Sequence, residues 1–399
     1  MVYLDAIKFN HDPTTAHGDA INLRKNASQF IAVPEWRAGI SVNPEDSRAA
    51  YAKKEVAGNI LTVQARFGWL GRSGGSVEIR ALDPTVDPPG RPGCLGFILR
   101  ILRIIIRALF GNVLGEVKAR TVSFSGPGLG NFETFELINT RVDQAGVGIR
   151  TTTWRWQYRV GGGSWTDFAT TRHRIYVLLE TPHAPWQQTP YAASNTQLPW
   201  TDVLDRACNW AILTTDREAA AAAITREIYA LGNSVITYDC PGGGATHYAY
   251  PNFDCTAFLE RIGGGGGNGL YVNCTDCATF VSTFANAVGC DLWQSRMGWY
   301  FDLNPLLAIG SGTWQTACNW GGFSYHEVPW KDQCTAADAV YDACLQVDGD
   351  ADPTSPPHVA LLPTNIVFGT PGSGGYRDRL SPSGTCDPLP STRQRRSVF

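Results

Sequence analysis

The run TWRWQYRV, residues 153–160, constrains the fold more than any other stretch. Trp154, Trp156 and Tyr158 alternate with Arg155, Gln157 and Arg159. A period of two places rings on one face of a β-strand and polar groups on the other, which no helix can do. Four similar runs share the first half of the chain: LTVQARF (61–67), GSVEIRAL (75–82), EVKARTVSF (116–124) and HRIYVLLE (173–180). Gly, Pro, Asn and Asp punctuate them. Short strands with turn signals between them predict an antiparallel β-sandwich over residues 1–186.

One segment interrupts that pattern. Residues 93–111, GCLGFILRILRIIIRALFG, are apolar except for Arg100, Arg103 and Arg107. Those spacings put the three arginines on one side of a helix. The segment is too short and too charged to span a bilayer. It reads as an inserted helix covering apolar surface, or as a helix that engages a membrane or a protein partner. The polar, Pro-punctuated residues 187–200 read as a linker. Helical patterns follow in TDVLDRACNWAI and DREAAAAAITREIYALG, the second opening on acidic residues and closing on Gly. From 371 to 399 the chain is rich in Gly, Ser and Pro and carries a basic RQRR, which predicts a flexible tail.

The net charge is −3 over 399 residues, so composition forces no basic surface and excludes nucleic acid as the expected partner. The N-terminus lacks the apolar core of a secretory signal. A cytoplasmic location is therefore the default, with export by a route that needs no cleaved signal left open. In a reducing compartment the eleven cysteines read as thiols; a Cys240–Cys255 disulfide belongs only to the exported case.

Ten of those cysteines lie at or after Cys208, and one short stretch concentrates their chemistry. In NCTDCATFVSTFANAVG, Ala278, Val281, Phe284, Ala285 and Val288 follow a 3.6-residue period, so 275–288 is a helix with one buried stripe. Cys274 and Cys277 stand at its N-terminal end. Free N–H groups there favour a thiolate. The chain has one C-x-x-C and no second close pair, so no metal site and no cofactor is expected. Which thiol leads depends on the cap. An Asn273 cap makes Cys274 the first helical residue; an Asp276 cap makes it Cys277. His326 is centred on the apolar run GFSYHEVPW, and Asp342 lies sixteen residues later in AVYDACLQV. Two neighbouring strands would set them side by side. A nucleophile, a base to take its proton and a carboxylate to orient the base then occur in that order.

Cys-Thr-Asp-Cys-Ala, with Gly289 closing the helix, resembles the transglutaminase-like superfamily motif, and His326 and Asp342 follow in that family's order. The resemblance covers roughly residues 200–350. It implies a catalytic domain over 201–370 with a papain-like plan, a nucleophile helix packed on an antiparallel sheet, and an α+β chain as a whole. Cys274 would be the nucleophile, His326 the general base and Asp342 the orienting acid. The activity implied is thioester formation with an amide of a protein or peptide substrate, passed on to water or an amine. The motif departs from the family where Asp342 is followed by Ala-Cys, while Asp-Pro-Thr stands at 352–354 in a solvated turn. DCATFVSTFANAVGCDL also resembles an NlpC-type peptidase motif, which would make Cys277 the nucleophile. Tyr271 is the side-chain candidate for the oxyanion.

Overall fold

The structure, a computed structural model, describes residues 1–11, 18–71, 73–84, 112–186, 197–232, 234–382 and 386–399. The helix expected at 93–111 and most of the expected linker lie outside them. Among the described residues no helix is long and apolar enough to cross a membrane. The chain is α+β and divides into two compact units. The first holds Met1–Thr181 and the described part of Gln187–Thr201; the second holds Pro182–Trp186 and Asp202–Phe399.

Unit 1 contains β1 (Val2–Lys8), β2 (Trp36–Arg37), β3 (Arg48–Ala52), β4 (Thr62–Trp69), β5 (Gly75–Leu82), β6 (Glu116–Phe124), β7 (Gly128–Ile138), β8 (Gly148–Arg159) and β9 (Thr166–Leu178). They form one sheet in the order β2-β1-β4-β7-β6-β5-β8-β9-β3. The long β7 bridges its two halves, pairing with β4 through residues 128–136 and with β6 through 137–138. The sheet curls onto itself: Phe67 on β4 lies 5.6 Å from Trp156 on β8, four places away in strand order. A flat sheet would separate them by about 19 Å. Trp154 and Trp156 are fully buried, as the alternation requires. The expectation of an all-antiparallel arrangement fails at one edge, where β3 runs parallel to β9.

One buried carboxylate in this unit has a measurable consequence. Glu35 accepts the N–H groups of Phe9 (2.9 Å) and Asn10 (3.0 Å). Burial nevertheless pushes its pKa up to about 7, against the two backbone bonds and with help from Asp19. A raised folded-state pKa means that the native form binds the proton more tightly. Stability is then full below the ordinary carboxylate range and falls as pH climbs through 7. In urea unfolding, Glu35→Gln should gain on the wild type between pH 4.5 and 8, by roughly 3 kcal/mol at most. A difference that stays constant across that range would show that Glu35 does not titrate there.

Unit 2 is built around a helix that is buried on every side. It contains α1 (Thr201–Trp210), α2 (Arg217–Ala230), α3 (Cys255–Ile262) and α4 (Cys274–Ala287). All fourteen residues of α4 are buried, more than the single stripe that its apolar spacing predicts. Phe280 stacks on Phe258 of α3 at 3.8 Å, and Phe284 meets Trp210 of α1 at 5.0 Å. Two of its hydroxyls are satisfied within the helix: Thr279 donates to the Thr275 carbonyl (2.7 Å) and Ser282 to that of Ala278 (2.8 Å). Asn286 donates to Leu292 O and to Ala184 O, so residues 182–186 join this unit.

Beside α4 lies an antiparallel sheet of β12 (Trp293–Met297), β13 (His326–Trp330), β14 (Ala339–Tyr341), β15 (Thr364–Val367) and β16 (Pro388–Gln394), in the order β15-β14-β13-β12-β16. A two-stranded parallel pairing joins β10 (Thr237–Tyr238) to β11 (Tyr271–Val272). The flexible tail expected over 371–399 is a correction. Its residues 388–394 form the edge strand β16, Tyr376 is fully buried, and Arg396 is 6% exposed. The basic cluster is clamped, with Arg393 and Arg395 lying 3.6 and 3.7 Å from the centre of the Trp293 ring.

Candidate active site

The first turn of α4 is fixed by a reciprocal cap. Asn273 accepts the N–H of Asp276 (3.0 Å), and Asp276 accepts that of Asn273 (3.1 Å). Of the two caps the sequence leaves open, the chain takes Asn273, so Cys274 is the first helical residue. Asp276 also accepts the N–H groups of His247, Tyr248 and Ala249 at 2.8–3.0 Å. That carboxylate pins the preceding loop to the helix tip. Burial raises its pKa, opposed by those backbone bonds.

His326 opens β13, and Asp342 follows β14, the neighbouring strand. His326 Nε2 lies 2.9 Å from Asp342 Oδ2, with both residues buried. The same oxygen accepts the hydroxyl of Tyr376 (2.7 Å), and Oδ1 accepts the N–H of Cys344 (2.7 Å). Three directed contacts therefore fix this pair. Burial is the strongest single influence on the imidazole and opposes its charge. The Asp342 carboxylate and the Cys274 thiol outweigh it and raise the pKa to about 10. Because Nε2 is taken by Asp342, Nδ1 is the nitrogen left to address Cys274. It has no partner at full hydrogen-bond geometry, a looseness common in resting catalytic sites. Cys274 is 5% exposed.

Cys277, the alternative nucleophile, faces elsewhere. It is 1% exposed, its pKa is raised by burial, and its thiol interacts with that of Cys344. Tyr271 is displaced by register. In the β10–β11 pair, Tyr238 stands opposite Val272 and Thr237 opposite Tyr271. Tyr238 and Tyr271 thus point to opposite faces. Tyr271 lies 6.2 Å from the His247 ring, whereas Tyr238 and Tyr325 are the phenols that sense Cys274. Burial raises both pKa values and the sulfur adds to each. Tyr325 also reaches Thr275, hydroxyl to hydroxyl, at 3.2 Å. Neither tyrosine was legible: Tyr238 comes from a two-residue strand, and Tyr325 from the irregular residue before β13.

One further expectation changes and another is met. Cys240 is bonded to Cys318, with Cα atoms 5.3 Å apart, while Cys255 is a free buried thiol. The Asp-Pro-Thr at 352–354 is an exposed turn in which Asp352 accepts the Thr354 N–H and hydroxyl. Asp348 of that acidic turn is paired with His358 at 2.6 Å. The chain matches no protein-family model and no curated protein.

Proposed function

We propose that the chain is a cysteine-dependent enzyme acting on amide bonds, with unit 2 built on the transglutaminase-like plan and unit 1 serving as its β-rich companion. The observation that carries this reading is the buried His326–Asp342 pair, 2.9 Å apart, whose free nitrogen is left to a thiol on the first turn of a helix. Cys274 Sγ attacks the carbonyl carbon of a peptide or side-chain amide. Asp276 N and Cys277 N are occupied by Asn273, which leaves Cys274 N and Thr275 N as backbone donors for the oxyanion. The Tyr238 hydroxyl is the side-chain donor beside them. His326 passes a proton to the leaving nitrogen, the C–N bond breaks, and a thioester remains on Cys274. Water or an amine then displaces the sulfur. No cofactor is needed. The Cys240–Cys318 bond favours an oxidising location over the reducing default, because disulfides persist there.

The test uses p-nitrophenyl acetate and peptide mapping by mass spectrometry. The thiolate should displace p-nitrophenolate and carry one acetyl group on Cys274, sensitive to hydroxylamine. Cys277→Ala should keep this adduct and Cys274→Ala should lose it. Acetyl found on Cys277 alone would move the nucleophile to that residue, and acetyl spread evenly over the buried thiols would support the competing reading of a non-catalytic scaffold.

A further inference from the structure

Thirteen tryptophans occur in the chain, and two of them are exposed: Trp299 at 54% and Trp320 at 40%. Each packs against one of the two tyrosines of the candidate site. Trp299 meets Tyr325 at 6.4 Å, edge to face. Trp320 meets Tyr238 at 6.0 Å. Tyr325 reaches the hydroxyl of Thr275, the residue after Cys274, at 3.2 Å, and Tyr238 is joined to His326 through the Phe323 ring. The helix tip and the imidazole are thus each reached by an aromatic relay that ends in a tryptophan open to solvent. The second relay also runs inward, where Phe323 stacks on Tyr238 at 6.3 Å and on His326 at 5.5 Å.

Both outer rings sit on prepared supports. Gly244, with φ +76°, backs the Trp320 ring so closely that an added Cβ would lie 3.3 Å from it. Cys318, two residues before Trp320, is fastened to Cys240. Trp299 sits on a tight turn between Gly298 (φ 60°) and Tyr300 (φ 55°). Tyr300 is 83% exposed, and a bulky residue in that backbone region is strained. A fold that seats eleven of its tryptophans within or against the protein and holds two outward at one site has a use for them there. Large exposed aromatics are the usual energetic anchors of a recognition surface.

We infer that these rings are the side-chain subsites of the proposed enzyme, and that its acyl substrate is an extended peptide with an aromatic or large apolar side chain beside the reacting carbonyl. This rests on the cysteine-enzyme reading and adds the substrate class. The ring faces take apolar side chains, and the indole N–H groups of Trp299 and Trp320 make no hydrogen bond among the described residues, so they are open to peptide carbonyls. A sugar would need carboxylate or amide partners at the ring edges. Arg296, the cation stacked on Tyr325 at 4.2 Å, is already aligned with Glu327.

The experiment measures alkylation of Cys274 in the full chain by three chloromethyl ketones: acetyl-Gly-Gly, acetyl-Phe-Gly and acetyl-Gly-Phe. In each, the thiolate forms an S–C bond and chloride leaves. At least one Phe probe should react about tenfold or more faster than the Gly-Gly probe. Trp299→Ala or Trp320→Ala should bring that ratio close to one, and taking the ratio within each variant cancels any general change in thiol reactivity. Trp165→Ala, in unit 1, should keep the wild-type ratio. Equal rates for all three probes, with iodoacetamide still labelling Cys274 quickly, would overturn the substrate class and leave the enzyme reading standing. Protection of Cys274 by chitotetraose, with none by a Phe-containing tetrapeptide, would overturn it too. Slow iodoacetamide labelling of Cys274 and Cys277 alike would remove the enzyme reading, and the substrate class with it.

Discussion

Replacing His326 with alanine should slow iodoacetamide alkylation of Cys274 at pH 7 by roughly 10- to 30-fold, the share of thiolate that a thiol without help lacks at that pH. Alkylation consumes thiolate, and an unassisted thiol is only a few per cent ionised at that pH. In the native site the imidazole, raised to about 10 by Asp342 and Cys274 against its burial, keeps a proton through the neutral range. The sulfur then faces a positive ring. The wild-type rate should accordingly hold steady upward through neutrality, whereas the variant's should climb about tenfold per pH unit as its thiol ionises unaided. Asp342→Asn should fall between the two, since it removes the charge that raises the ring but leaves the ring in place. Labelling of His326→Ala at the native rate would mean that the two groups do not communicate.

The parts of this site that sequence made legible are those set by local chemistry. The four residues from Asn273 to Asp276 narrow the helix start to two caps, and the structure takes Asn273, which makes Cys274 the first helical residue. His326 and Asp342 could be paired because each interrupts an apolar run and few residues separate the runs. What stayed hidden depends on partners far apart in the chain. Tyr376 lies 34 residues beyond the carboxylate to which it donates. Arg396 lies 69 beyond its partner Glu327. A basic, Pro-rich stretch reads as solvated until the group that neutralises it is known. Unit 1 shows the same limit: period-two alternation identifies individual strands, but neither the curl that brings Phe67 to Trp156 nor the parallel edge at β3 leaves a local trace. Tyr271 was misplaced for a related reason, since a shift of one residue in a strand exchanges the faces of the sheet.

The terminal segment carries the second large prediction. Arg396 Nη1 donates to Glu327 Oε1 at 2.6 Å and Nη2 to Oε2 at 3.2 Å, in a pocket where both side chains are almost dry. Glu327 follows His326 directly, and its Oε2 also accepts the hydroxyl of Thr275, the residue after Cys274 (3.0 Å). Nη1 reaches Thr279 one turn further along the helix (3.1 Å). One guanidinium thus ties the last residues of the chain to both the strand of the base and the helix of the thiol. Arg396→Ala would leave the buried Glu327 with only the longer ion pair to Arg296 (3.5 Å), and breaking a buried pair in this way costs about 3–5 kcal/mol, a large share of a domain's stability. Urea unfolding of unit 2, followed by tryptophan fluorescence, should show that loss. Replacing both partners, as Glu327→Gln with Arg396→Met, should recover most of it, because the glutamine keeps an acceptor for Thr275 and no ion remains buried. The pair also makes a functional demand that the stability measurement separates. If the double variant is stable but alkylates slowly at Cys274, Glu327 positions Thr275 and the helix tip. If it alkylates at the native rate, the ion pair serves folding alone. A cost below about 1 kcal/mol for Arg396→Ala would place the residue in the surface class of ion pairs and return the terminal segment to the solvated tail that its composition suggests.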